Sequence, residues 1–111
     1  MSDLLNLAGR VAVVTGAGAG LGRAEAVALA KAGADVILND LPGAADEAAD
    51  EIRSLGVRAA IVAGDVGESS TASAIMKTAT EELGGLDIIV NNAGITRDKM
   101  LFNMTDEEFD L

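Results

Sequence analysis

The positions in this chain best suited to chemistry are a cluster of glycines and the acid that follows them. Thr15-Gly16-Ala17-Gly18-Ala19-Gly20-Leu21-Gly22 places a glycine at every second position. Small residues let a backbone approach a pyrophosphate, and a helix starting at such a loop offers unpaired N–H groups and a partial positive charge. No Lys follows in the pattern of a nucleoside triphosphate loop. The spacing also departs from G-x-G-x-x-G, because a third glycine counted from Gly16 or Gly18 would fall at Leu21 or Arg23. What fits is T-G-x-x-x-G-x-G, with glycines at 16, 20 and 22. Alone, the loop also admits the reading of a tight strand-to-helix turn. The strand before it, the helix after it and an acid downstream favour the phosphate cradle.

That acid is Asp40, eighteen residues after Gly22 at the end of the second strand. The spacing suits a group that binds the adenosine ribose. A carboxylate can accept hydrogen bonds from both ribose hydroxyls. It repels a 2′-phosphate, since like charges about 4 Å apart cost about 4 kcal/mol at an intermediate effective dielectric. Ala17-Gly18-Ala19 brings no basic residue to offset this. The expected cofactor is therefore NAD and not NADP. The alternative is a surface acid that merely ends a strand.

These residues need a scaffold, and the apolar pattern supplies one. Val11-Ala12-Val13-Val14 is a continuous apolar run between Gly9 and Gly16, as a central parallel strand requires. Leu21 to Ala32 reads as an Ala-rich helix stopped by Gly33. Val36-Ile37-Leu38 is the second strand, followed by a turn at Leu41-Pro42-Gly43. Ala45, Ala48, Ala49, Ile52 and Leu55 recur at helical spacing with acids between them, and Gly56 closes that helix. Ala59 to Ala63 is a third strand ending at Gly64-Asp65. Ala72, Ile75, Met76, Ala79 and Leu83 mark a third helix, ended by Gly84-Gly85. Leu86 to Val90 is a fourth strand running into Asn91-Asn92-Ala93-Gly94. The order βαβαβαβ implies an α/β fold with a parallel sheet and right-handed crossovers. The fourth strand is expected at an edge.

Composition narrows the classes of function. A net charge of −10 without a basic patch argues against nucleic acid and anionic membrane partners. The chain has no Cys and no His, which removes thiol catalysis, a His general base and Cys/His metal sites. It also has no disulfide framework and fits a reducing, cytoplasmic compartment. The N-terminus lacks the pattern of a signal peptide, and no apolar stretch reaches membrane-spanning length. Thr105-Asp106-Glu107-Glu108 fits a capping box, with Phe109 and Leu111 opening an apolar stripe. A helix announced so near Leu111 leads us to expect that the natural polypeptide continues.

TGAGAGLG at 15–22, GDV at 64–66 and NNAG at 91–94 together resemble the short-chain dehydrogenase/reductase family. NNAGITRDKM with TDEEFD (105–110) resembles bacterial members acting on 3-oxoacyl or 3-hydroxyacyl groups. The resemblance covers the whole chain but only about the first half of a typical member. It implies a Rossmann-type doubly wound parallel sheet, here its N-terminal βαβαβαβ part, with residues 1–111 as the NAD-binding portion. It implies that Gly16, Gly20 and Gly22, with Leu21 among them, hold the pyrophosphate. It also implies that Asp40 selects NAD, that Asp65 and Val66 contact the adenine, and that Asn92, Ala93 and Gly94 line the ribose near nicotinamide. Thr15 and Asn91 are expected to brace the loop and sheet. The family's catalyst is a Tyr assisted by Lys, Ser and Asn. This chain has no Tyr, and its Lys and Ser residues lie outside that motif, so no catalytic residue is named.

The resulting expectation is the cofactor-binding part of an NAD-dependent oxidoreductase that interconverts a secondary alcohol and a ketone. The substrate would be a small molecule, and the family implies a homo-oligomeric parent. Reductases of fatty-acid synthesis in the family usually prefer NADPH, which Asp40 disfavours. Two other readings stay open: a non-catalytic NAD-binding module, and a methyltransferase on a similar nucleotide fold.

Overall fold

The computed structural model describes residues 6–92 of the chain. They form β1 (Val11–Thr15), α1 (Gly20–Lys31), β2 (Asp35–Asp40), α2 (Asp46–Arg53), β3 (Ala59–Ala63), α3 (Ser69–Glu82) and β4 (Ile88–Val90). All four strands run parallel, in the order β3-β2-β1-β4. The chain thus steps outward from β1 to β2 and β3, then crosses back to place β4 on the other side of β1. That reversal is the switch point beside which open α/β sheets bind ligands, at the carboxyl ends of the strands. The sequence-derived class is the one observed, and among the described residues β4 lies at an edge of the sheet.

Alternation along the strands builds two apolar layers. Val11 and Val13 of β1, Ile37 of β2 and Val62 of β3 pack with Ala72, Ile75 and Ala79 of α3. Val14, Val36 and Leu38 face the other way, onto Ala26 and Ala30 of α1 and Ala48, Ala49 and Ile52 of α2. Both faces of β1 and β2 are covered, which is why their sequences are continuously apolar. Ile37, Leu38, Ile52 and Ile75 are fully buried. Side chains of this size contribute about 1.5–3 kcal/mol each on burial.

Several boundaries differ from the sequence expectation. β4 begins at Ile88 and not at Leu86, because Asp87 departs from strand pairing. Its N–H donates to the Val11 carbonyl (2.8 Å), but its own carboxylate accepts the Val11 N–H (2.9 Å) where a strand carbonyl would otherwise stand. α3 begins earlier than expected, at Ser69, because the polar run Ser69-Ser70-Thr71 is helical. α2 ends at Arg53, so Leu55 leaves the apolar face of the helix and is 41% exposed.

One arginine ties three of these elements together. Arg58 sits just before β3; its Nε donates to Asp35 at the start of β2 (2.9 Å). Its Nη1 and Nη2 donate to the last carbonyls of α3, at Glu82 (3.1 Å) and Leu83 (3.4 Å). A cation at a helix C-terminus pairs with carbonyls that have no helical partner and with the negative end of the dipole.

Candidate nucleotide site

The glycine loop connects β1 to α1 at the carboxyl end of the sheet. Gly16 and Gly20 take left-handed backbone angles (φ 64° and 58°), which the turn out of the strand and into the helix requires. Gly22 is buried, and a Cβ there would occupy the position of the Gly16 carbonyl. Its lack of a side chain lets α1 lie directly against the loop. No side chain caps the N-terminus of α1, and no acid stands in its first turn. The amides of that turn and the dipole behind them are thus left for an anion. Leu21 is 70% exposed beside them.

A crevice of about 220 Å³ opens next to the loop, lined by Thr15, Gly16, Asn39, Asp40, Leu41, Gly64, Asp65 and Val66. It brings together Gly16, Asp40, Asp65 and Val66 among the residues expected from the sequence. The Asp40 carboxylate is fixed at both oxygens. Oδ2 accepts the Gly18 N–H (2.9 Å), and Oδ1 accepts the Leu41 N–H (2.8 Å). Asp65 Oδ1 accepts the Gly67 N–H (2.8 Å), which sets the turn from β3 toward α3. The Val66 side chain is turned inward to the core against α3, leaving its backbone for the crevice.

Asn39 and Leu41 are site neighbours that the sequence reading passed over. Asn39 is 2% exposed, and its Nδ2 donates to the carbonyls of Val62 (2.9 Å) and Gly64 (3.2 Å). It therefore holds the end of β3 against β2 and shapes the crevice wall. A polar residue closing an apolar strand was the available signal. Leu41 is 62% exposed on the rim, an apolar surface for a flat ring.

On the other side of β1, Thr15 braces the loop as expected. Its hydroxyl donates to Asn91 Oδ1 (3.0 Å) and accepts the Asn92 N–H (2.9 Å). Asn92 Nδ2 donates to the Thr15 carbonyl (3.0 Å) and to Glu25 of α1 (2.8 Å). Asn92 also flanks Gly16, whose Cβ, if present, would stand 3.4 Å from that of Asn92. Glu25 carries no motif that would have marked it. Asn91 Nδ2 is buried without a hydrogen-bond partner among the described residues. Asn92 does not line the crevice, and Thr15, which does, links it to the rim at Asp40, Asp65 and Leu41. Ala93, Gly94 and the expected capping box at 105–108 lie outside the described residues.

A family model described as short chain dehydrogenase matches residues 10–111. A hydroxyacyl-CoA dehydrogenase of Mycobacterium tuberculosis, ChsB1, is 56% identical across 98% of this chain. The chain spans 36% of that relative's length. Among solved structures, a hydroxysteroid dehydrogenase from Escherichia coli superposes with a TM-score of 0.78 at 43% identity, covering 85% of this chain and 40% of that one. An L-sorbose reductase from Gluconobacter frateurii complexed with NADPH and L-sorbose has a TM-score of 0.76 at 38% identity, over 81% of this chain and 35% of its own. A carveol dehydrogenase from Mycobacterium avium in complex with NAD has a TM-score of 0.74 at 36% identity, over 80% of this chain and 37% of its own.

Proposed function

The chain belongs to the short-chain dehydrogenase family, and from that premise we propose that it is the NAD-binding portion of a longer oxidoreductase interconverting a secondary alcohol and a ketone. The relatives' greater length supports the first part, and the likeness to a hydroxyacyl-CoA dehydrogenase supports a 3-hydroxyacyl substrate in the parent enzyme. No helix among the described residues is long and apolar enough to cross a membrane. A small-molecule substrate, a cytoplasmic location and a homo-oligomeric parent belong to the same reading.

The observation that carries the choice of cofactor is the charge of the crevice. Two carboxylates, Asp40 and Asp65, line it, and among the described residues no Lys or Arg does. Such a wall accepts hydrogen bonds from ribose hydroxyls and from an adenine amino group. It offers a 2′-phosphate repulsion and no counter-charge. Gly16, Gly20 and Gly22, with the exposed Leu21, form the cradle for the pyrophosphate at the N-terminus of α1. Asn92, together with Ala93 and Gly94 of the same motif, is assigned to the second ribose on the family resemblance. The nicotinamide, when bound, supplies the hydride chemistry. These residues bind and orient it, and the side chains that move the proton lie elsewhere in the parent.

Calorimetric titration with NAD and, separately, NADP tests this reading. NAD should bind at least about tenfold more tightly. Asp40→Ala should weaken NAD by about ten- to a hundredfold, as expected for hydrogen bonds to a charged group, while leaving NADP unchanged or improved. Equal or tighter binding of NADP by the unsubstituted protein would overturn the assignment.

A further inference from the structure

Gly18 stands at a variable position of T-G-x-x-x-G-x-G, so the motif does not explain why it is glycine. Its backbone does not explain it either, since Gly18 is not among the residues with positive φ. The reason is space. A Cβ at Gly18 would stand 2.9 Å from Asp40 Oδ2 and would collide with the Ala44 carbonyl. The turn between β2 and α2 therefore closes directly onto the glycine loop. At the same point the Gly18 N–H donates to Asp40 Oδ2 at 2.9 Å. The other carboxylate oxygen is held by Leu41 N–H at 2.8 Å. Each carboxylate oxygen can accept more than one hydrogen bond, so both keep capacity for a ribose hydroxyl.

We propose that Gly18 is a positioning residue that sets nucleotide specificity through Asp40: its N–H and its missing side chain hold the carboxylate in one orientation against the glycine loop. This rests on the reading that Asp40 meets the adenosine ribose. Specificity then resides in a pair of positions and not in the acid alone. A side chain at position 18 displaces the turn at 41–44 and turns the carboxylate away from the hydroxyls. It also relieves the repulsion of a 2′-phosphate.

The test is the ratio of NAD to NADP affinity in Gly18→Ala. NAD should weaken by about tenfold, the loss expected for one hydrogen bond to a charged group. NADP should be unchanged or improved, narrowing the ratio. An unchanged ratio in a folded variant would overturn the proposal while leaving the NAD assignment standing. Failure of the unsubstituted protein to prefer NAD would instead overturn that assignment. A second measurement needs neither nucleotide nor a substitution at position 18. In an amide-resolved NMR spectrum, Asp40→Asn should move the Gly18 N–H resonance more than those of Ala17 and Ala19. No selective shift would show that the carboxylate is not held there, and would sink the proposal whether or not Gly18→Ala folds.

Discussion

Among the described residues, the two sides of β1 are held in different ways. On the β2–β3 side, Asp40 has both oxygens engaged, Asn39 clamps the end of β3, and β2 is buried along four consecutive residues. On the β4 side, the strand has three half-buried residues, and Asn91 carries a buried Nδ2 without a partner among the described residues. The first side is therefore a rigid, pre-organised half-site, held by its own backbone amides. The second rests on Thr15, whose hydroxyl serves both Asn91 and Asn92, and on Glu25 of α1, which accepts from Asn92 Nδ2. Pre-organisation lowers the cost of ordering groups on binding, so the fixed Asp40 carboxylate should contribute strongly to affinity.

The contrast can be broken most severely at Gly22. Gly22→Ala drives a Cβ onto the Gly16 carbonyl, and overpacking of this kind costs about 1–3 kcal/mol or more. The melting temperature should fall by at least about 4–8 °C, since each kcal/mol is worth that much in a domain of this size. A variant that melts with the parent would mean that the loop and α1 are not tightly packed.

Thr15→Val sharpens the comparison on the weaker side. It keeps the side-chain shape but leaves the Asn92 N–H and Asn91 Oδ1 without their partner, at about 1–3 kcal/mol. The urea midpoint should drop accordingly. A change under about 0.5 kcal/mol would show that the β4 side does not rely on that hydroxyl. The smallest effect is expected at Arg58→Ala, which removes an exposed ion pair to Asp35 and two contacts to the end of α3. About 0.5–1 kcal/mol should be lost by the same denaturant measurement, and less at high salt. A loss insensitive to salt would assign the effect to the carbonyl contacts alone.

What could be read from the sequence followed from periodicity and from position. The runs at β1 and β2 identified themselves as central strands because both faces are covered. Asp40 stood out because an acid at the end of the second strand sits where an α/β sheet binds ligands, whereas Asp65 was named only through the family resemblance. Gly18 was not legible, because its requirement comes from a carbonyl 26 residues later in the chain, at Ala44. Nor was the inward turn of Val66, since a motif names a position and not the direction of its side chain. Leu86-Asp87 reads as strand because Leu86 extends the apolar pattern across the acid at Asp87. The Asp87 carboxylate takes the Val11 N–H, and β1 itself begins at Val11, so the ladder ends there.

The strand order also dictates a sequence of events in time. Val11 pairs with Asp35, 24 positions on, whereas Ala12 pairs with Ile88, 76 positions on. Closing the longer loop costs about 1 kcal/mol more in chain entropy, because that cost grows with the logarithm of length. Contacts of such separation form late and slow the overall rate. The β1–β2–β3 unit should assemble first as a folding nucleus, with β4 docking afterwards. Substitutions in β2 should then change the refolding rate, and substitutions in β4 chiefly the unfolding rate.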